Sequence, residues 1–553
     1  MIEVSNIRVA LNKAGETEQR ARDALCSELA CVLSVKASAL KGFELQKRSI
    51  DARKKNRIVL NHSVRLSLAP SLESELVSAG KVRAVDTTPP LWPSPAGLLS
   101  RSSHNATSPI SSPTDPLFAS APVVVGAGCA GLFCALALAR AGAHPLLIER
   151  GDNAARRTQL VREHNESGIL DSESNIQFGL GGAGTFSDGK LATGTRSPYH
   201  RLILDELVSC GASQQILWDG HPHVGSDVLP TVVTNIVKHI EDAGGTVLFR
   251  TRMTDLELIG NQVGALRVES QGVERRIACS QLVLACGHSA RDVFALLHER
   301  GVALERKPFA MGVRIESLQA DVDHALYGSY AGHPLLGAAP YKSAVHLPNG
   351  RSAFTFCMCP GGHVVSAASE AGGVCINGAS LSARDGINAN AGLLVGVEPD
   401  DLDGTDVLAG VELQRHCEQA AYERGGGAFV APAQLVGDFC RKQASNGVGG
   451  VRPSYPRGVY WGSIEDCLPS YVSQTLREAL PLMGRKLPVL SADDSVLTAV
   501  ETRSSSPVRV VRGADGQSVS TRGLFPVGEG AGYAGGIMSA AADGIRAALH
   551  LLG

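Results

Sequence analysis

The feature that most constrains this chain is a set of three glycines at fixed spacing, Gly126-Ala127-Gly128-Cys129-Ala130-Gly131. It directly follows the apolar segment 122–125 and runs into the helix-period stretch 130–142. In a strand–loop–helix unit of this kind the first glycine makes the tight turn. The second lets the backbone approach a pyrophosphate, and the third permits close helix–strand packing. The free N–H groups of the helix N-terminus then hold phosphate charge. A second short strand is expected at 145–148, completing half of a βαβ mononucleotide fold. Glu149 lies at its end, about twenty residues beyond the first glycine, where an acid bonds a ribose 2′-hydroxyl and repels the 2′-phosphate of NADP.

A chain of 553 residues exceeds one ordinary hydrophobic core and predicts two or three structural units. Glycine, at 61 residues, exceeds the average of about 7 %. Its excess sits in a few clusters, which favours tight turns and close ligand approach over low complexity. Residues 1–90 read as a small α/β unit, with a strand at 3–11, a helix at 17–33 and strands at 43–46 and 57–68. Between the last two strands, KRSIDARKKN from Lys47 reads as a basic turn, either solvated or docking an anionic ligand or the neighbouring domain. A Pro-, Ser- and Thr-rich linker is expected over 91–119. The first segment of a dinucleotide-binding unit follows at 120–298, with a helix from near Asp227 to 243, a strand at 246–251, a meander to 278 and a buried strand at 281–286. An insert of mixed character is expected at 299–499 and a return segment at 500–553.

Lys and Arg total 52 against 54 Asp and Glu, so no global charge favours nucleic acid or an anionic membrane. Thirteen cysteines without a regular framework favour a reducing, cytoplasmic compartment over a secreted disulfide scaffold. The first twenty residues lack the character of a signal or transit peptide. The most apolar stretch, 132–148, is interrupted by Arg140, Gly142, His144 and Pro145, short of a membrane span.

The fingerprint at Gly126 does not separate FAD from NAD, but the opposite end of the chain does. Residues 524–531, LFPVGEGA, form an apolar strand ending in Gly528-Glu529, followed by glycines to Gly536 and a helix-period run to 552. This resembles the returning FAD motif of glutathione-reductase-type flavoproteins. The resemblance implies an acid contacting the ribityl–pyrophosphate region and a helix N-terminus facing the flavin pyrimidine edge. Leu284-Ala285-Cys286-Gly287 resembles the strand-end element of the same class, with Cys286 where Thr is commoner. A third loop, GGAGTFSDGK from Gly181 to Lys190, has no apolar strand before it and reads as a flavin-wrapping loop in which Ser187 and Lys190 donate hydrogen bonds.

Taken with KRSIDARKK from Lys47, GHSARD from Gly287, KPFAMGVRIE from Lys307, TFCMCPGG from Thr355, NGAS from Asn377, ETRSSSPVR from Glu501 and GEGAGYAGGI from Gly528, the chain resembles the uncharacterised family of FAD-utilising dehydrogenases. Cys129 departs from the usual Pro after the second glycine. The resemblance implies a Rossmann-type FAD/NAD(P)-binding α/β domain with an inserted α+β substrate domain and a small N-terminal α/β domain. The expected cofactor-binding set is Gly126, Gly128, Ala130, Gly131, Glu149, Arg150, Gly181, Gly182, Ser187, Lys190, Met253, Gly287, Gly528, Glu529, Gly535 and Ile537. The expected chemistry is hydride transfer between a small-molecule substrate and flavin N5, with NAD(P)H a transient reductant or another donor in its place.

Candidates for the reaction itself are Lys190, His288, Cys357, Cys359, Arg503 and Arg509. On a regular strand Cys357 and Cys359 share a face and both line a pocket; core, substrate-facing and metal-binding readings stay open for them. Arg503 and Arg509 flank three serines and suit a carboxylate or phosphate, or pair with acids. His288 and Arg291 follow the Gly287 strand end, near a flavin or in a capping role. His221, His223 and Asp227 raise a metal site that an intervening Pro and helix start disfavour, and no metal is expected. Two readings of other classes remain: a flavin-binding scaffold or sensor, and an FAD-dependent modifier of RNA or another macromolecule docked by the N-terminal unit.

Overall fold

The computed structural model describes residues 1–40, 42–85, 91–92 and 121–553. The linker expected at 91–119 therefore lies, apart from Leu91 and Trp92, outside the described residues. At the centre is a five-stranded parallel sheet ordered Leu524–Pro526, Leu282–Leu284, Val123–Val125, Leu146–Ile148 and Thr246–Leu248. The three valines of the middle strand are buried. A strand covered on both faces needs β-branched apolar residues without alternation, and this segment supplies them.

Cys129–Arg140 forms the helix behind the fingerprint, with ten of its residues buried. It packs on the last helix, Ile537–Leu552. A Cβ at Gly544 would stand 2.0 Å from the Ala130 carbonyl oxygen, so the absent side chain sets the spacing of the two helices.

The strand expected at 246–251 is two strands in two sheets. Arg250, at φ 48°, breaks the run, and its guanidinium is held by Asp152 and Asp171. Beyond it Thr251–Ile259, Gln262–Ser270 and Val273–Ala278 form the antiparallel meander.

The third sheet has eight strands. Its path is Ala344–His346, Ser352–Ser366, Asn388–Val397, Phe309–Leu318, Val496–Glu501, Ala431–Leu435 and Val459–Trp461, with Ile376–Ser380 paired to Ser352–Ser366. Val496–Glu501 crosses the expected boundary at 499/500 and lies wholly in this sheet.

The N-terminal unit is a four-stranded sheet ordered Glu44–Asp51, Val59–Leu66, Ile2–Ala10 and Arg83–Ala84. The helix Glu18–Leu33 packs on it, capped by Thr17. Lys47–Asp51, read from sequence as turn, lies inside the edge strand. That strand docks on the flavin unit through backbone: Arg48 N–H donates to the Trp218 carbonyl and the Arg48 carbonyl accepts from Gly220 N, both at 2.7 Å, while the Arg48 guanidinium stacks on the Trp218 ring. Apolar residues of this unit and of the eight-stranded sheet form one contiguous buried cluster. No described helix is long and apolar enough to cross a membrane.

Gly544→Ala is expected to destabilise the protein by about 1–3 kcal/mol in urea unfolding, because a methyl group is forced against backbone. Gly535→Ala, where a Cβ meets nothing within 4 Å, is expected to stay within about 0.5 kcal/mol of the parent.

Candidate functional site

Glu149 ends the strand Leu146–Ile148, and its buried carboxylate joins three loops. Oε2 accepts from Ala127 N of the fingerprint at 2.8 Å, and Oε1 accepts from Gly151 N and Gly179 N, each at 2.9 Å. Three of about four acceptor positions are thus filled, leaving one on Oε2 for a sugar hydroxyl. The fingerprint loop and the third glycine loop meet directly, with Gly181 N donating to the Ala127 carbonyl at 2.8 Å. Gly126, at φ 102°, must be glycine twice over, since a Cβ there would lie 2.8 Å from the Ala285 carbonyl oxygen.

Sequence reading missed Arg157, which is fully buried. Its guanidinium donates to the carbonyls of Asn175, Ile176, Leu180 and Gly182 and so holds the third loop from beneath. Arg150, assigned to the cofactor, is paired with Glu173 and Asp292 and lies over the Phe178 ring. Met253 is buried in the core beside the meander, so only its backbone can face a ligand. Ser187 is used within its own turn, donating to the Gly184 carbonyl and accepting from Gly189 N. Ile537 packs over Gly184.

Glycines leave a cradle between these loops and the C-terminal motif. A Cβ at Gly287, Gly535 or Gly536 meets nothing within 4 Å, and one at Gly128 meets only Gly182 Cα at 4.0 Å. Glu529 stands at this cradle, and among the described residues its carboxyl takes a hydrogen bond from the Gly536 backbone and none from a side chain. Burial pushes its carboxyl up to about 7, against the pull of Lys307. His288 Nε2 lies 3.8 Å from Glu529 Oε1, but burial first, and then Arg503, Arg291 and Lys307, push the imidazole down to about 3. At neutral pH this is a neutral imidazole, not an ion-pair partner. The Gly528 amide is held by Asp543, which Arg512 and Arg546 hold in turn. A glycine-walled cradle and an acceptor without a side-chain partner fit the pyrophosphate and polyol of FAD.

On the side of the insert, Lys190 pairs with Asp188 at 2.8 Å, and Asp188 also takes both guanidinium arms of Arg384. Lys190 Nζ lies 3.7 Å from Cys359 Sγ. The shared face expected of Cys357 and Cys359 does not form. The register slips between Phe356 and Cys359 and Cys357 sits at φ 42°, so Cys357 is exposed and Cys359 buried. Of the two readings of Arg503 and Arg509, pairing with acids is the one seen. Arg503 is buried on Glu418, whereas Arg509 pairs with Glu305 at the surface. Nor do His221, His223 and Asp227 gather. His223 bonds the Ser382 carbonyl, and Asp227 accepts from Ser382 N and Oγ. Among the described residues Glu206, Cys210 and His239 do cluster, but Arg140 already holds both Glu206 oxygens.

Glu418, also missed, is the charged link between insert and flavin unit. Its carboxylate takes bidentate donation from both Arg291 and Arg503, all three side chains being at most 2 % exposed. Burial opposes its ionisation, but the two guanidiniums win and hold the carboxyl far below the usual range.

The family profile described as FAD-dependent protein, C-terminal domain-like, matches residues 308–504. An NAD(P)-binding Rossmann-like domain matches 124–181, and a domain of unknown function matches 1–67. A protein of Clostridium beijerinckii, described as uncharacterised, is 40% identical over 527 residues, covering 94% of this chain and 94% of its own. Among solved structures, a flavin-dependent brominase is similar at 12% identity and TM-score 0.32, over 77% of this chain and 78% of that one. The Bacillus halodurans glycerol-3-phosphate dehydrogenase complexed with FAD is similar at 11% identity and TM-score 0.27, over 51% and 48%. A flavoprotein/dehydrogenase of Cytophaga hutchinsonii is similar at 14% identity and TM-score 0.25, over 53% and 61%.

Gly287→Leu is expected to leave the circular dichroism spectrum unchanged while lowering FAD occupancy at least about tenfold, because the new side chain fills the cradle and not the core. Glu418→Gln is expected to cost about 3–5 kcal/mol in denaturant unfolding at neutral pH, because two buried guanidiniums lose their counter-charge. The depressed Glu418 carboxyl contributes stability that is fully present above its unfolded value of 4.5 and lost as pH falls toward its folded value. The parent should therefore lose stability on acidification over that range, and the glutamine variant should lack this component.

Proposed function

The chain belongs to the same family as the Clostridium beijerinckii protein, a family of FAD-dependent proteins with a Rossmann-like domain, and on that premise we propose that it is an FAD-dependent dehydrogenase acting on a small-molecule substrate. The observation that carries the reading is the Glu529 carboxyl, set at a glycine-walled cradle with no side-chain hydrogen-bond donor among the described residues.

In this reading the N-terminal amides of the helix Cys129–Arg140 neutralise pyrophosphate charge, and Gly126 and Gly128 let the backbone close on it. Glu149 offers its remaining acceptor position to the ribose. Glu529 accepts from a hydroxyl of the ribityl–pyrophosphate run. The N-terminus of the helix Ile537–Leu552 presents its positive dipole end to the ring. Bound there, FAD supplies hydride chemistry at N5, which no side chain of the protein provides. The eight-stranded sheet closes the cleft from the far side, with Arg314 and the Cys357–Cys359 segment facing Lys190 of the third loop. Substrate binds where the insert meets the cradle. With one dinucleotide fingerprint committed to FAD, a nicotinamide donor visits the cleft only transiently.

The purified protein should show a flavin spectrum that bleaches anaerobically with NADH, NADPH or another reductant; a colourless protein that FAD does not reconstitute sinks the reading. Binding should also follow Glu529. A donated hydroxyl favours the ionised carboxylate, so affinity increases with pH through the free-state value of about 7. Between about pH 8 and about pH 6 the FAD dissociation constant should rise about three- to tenfold in the parent and stay flat in Glu529→Gln.

A further inference from the structure

The strand Ser352–Ser366 leaves regular pairing where it passes the third glycine loop. The bulge exposes Phe356 and Cys357 in succession and turns Cys359 inward. Cys359 Sγ then lies 3.7 Å from Lys190 Nζ and 3.7 Å from Arg314 Nη2. Both cations also have carboxylate partners, Asp188 and Glu501. Two buried donors near this sulfur have no partner among the described residues: Asn390 Nδ2, on the residue paired with Cys359, and the Tyr341 hydroxyl. Cys357 is different in kind. The residue is exposed, while desolvation of its thiol pushes it up to about 11, with Lys190 and Arg314 pulling the other way. It is therefore a protonated thiol at neutral pH. The two sulfurs form an asymmetric pair, one on an exposed residue and one buried between two cations, its S–H donating to the Cys357 carbonyl at 3.2 Å.

We propose that Cys357 and Cys359 are a redox-active dithiol–disulfide couple that oxidises a dithiol substrate, Cys357 being the sulfur attacked and Cys359 the sulfur released as thiolate. The inference rests on the FAD-dependent reading above and names the substrate class of that same cleft. Thiol–disulfide exchange proceeds at the accessible sulfur and expels the sulfur better stabilised as an anion, and the structure assigns those roles to different residues. A disulfide between residues two apart closes a strained ring, which makes it the more oxidising.

The steps balance. A substrate thiolate attacks Cys357 Sγ and forms a substrate–Cys357 bond. The Cys357–Cys359 bond breaks, and its electron pair stays on Cys359, facing Lys190 and Arg314. The second substrate thiol, deprotonated, attacks the substrate sulfur of that mixed disulfide and expels Cys357, which takes up a proton. One dithiol has become one disulfide; of the two protons it gives up, Cys357 keeps one and the other passes to Cys359 or to solvent, and the pair now holds the two electrons. On re-forming its disulfide the pair gives up the same electrons and protons, for which a bound FAD would be the two-electron acceptor.

The test counts electrons in the full-length protein loaded with FAD. Anaerobic titration with dithionite should consume about four electrons per FAD in the parent and about two in Cys357→Ser and in Cys359→Ser, with the oxidised flavin spectrum retained in both. Mass spectrometry of the parent, isolated without reductant, should find a Cys357–Cys359 disulfide that dithiothreitol opens. Because Cys357 is exposed, its serine variant carries the test even if Cys359→Ser misfolds. Uptake of only about two electrons by a parent that holds FAD overturns the couple and leaves the FAD reading standing, whereas a parent that binds no FAD overturns both.

Discussion

The glycine loops act as one object because of a single carboxylate. Glu149 is buried, and an ionised carboxylate away from water costs several kcal/mol unless hydrogen bonds replace its hydration. Three backbone amides do so here, one from each of three loops that are distant in sequence. The arrangement works in both directions: the amides replace the hydration of the acid, and the acid fixes the separation of the fingerprint from the loop that faces it. Arg157 repeats the device with opposite sign, collecting carbonyls where Glu149 collects amides. Between them they set the floor of the cradle before any ligand arrives.

How far the sequence could be read depends on whether a feature is local. The strand–loop–helix at Gly126 and the Gly528-Glu529 return were legible because turn, close approach and helix start are each written into adjacent residues. The helix Glu18–Leu33 was legible through its cap and period. The insert was not, because strands such as Phe309–Leu318 and Asn388–Val397 are buried on both faces and show no alternation to mark them. Cys357 and Cys359 were misassigned to a common face because a bulge, which leaves no mark in composition, shifts the period by which faces are counted. Arg503 was read with its neighbour in sequence, whereas its partner Glu418 lies 85 residues away. The docking of Arg48 on Trp218 and Gly220 runs through backbone groups, which every residue carries.

The distribution of charge within the molecule follows its function. Arg314, Arg503, Glu418 and Glu501 are among its most buried residues, yet each is paired, and the pairs line the seam where the eight-stranded sheet meets the flavin unit. Apolar packing would close such a seam at lower cost in desolvation. Charged pairs instead place fixed positive and negative groups in the interior, where their fields are weakly screened.

The contiguous core shared by the N-terminal unit and the eight-stranded sheet also bears on how the chain is made. The first unit leaves the ribosome with its apolar face complete, but the residues that cover that face begin only at Phe309. At roughly 5–20 residues per second, the interval is on the order of tens of seconds. Throughout it an open edge strand and a greasy surface stand exposed or in the grip of a chaperone. The unit that folds first thus waits for a sheet made much later, and the parallel sheet is itself complete only when Leu524–Pro526 and the helix Ile537–Leu552 arrive.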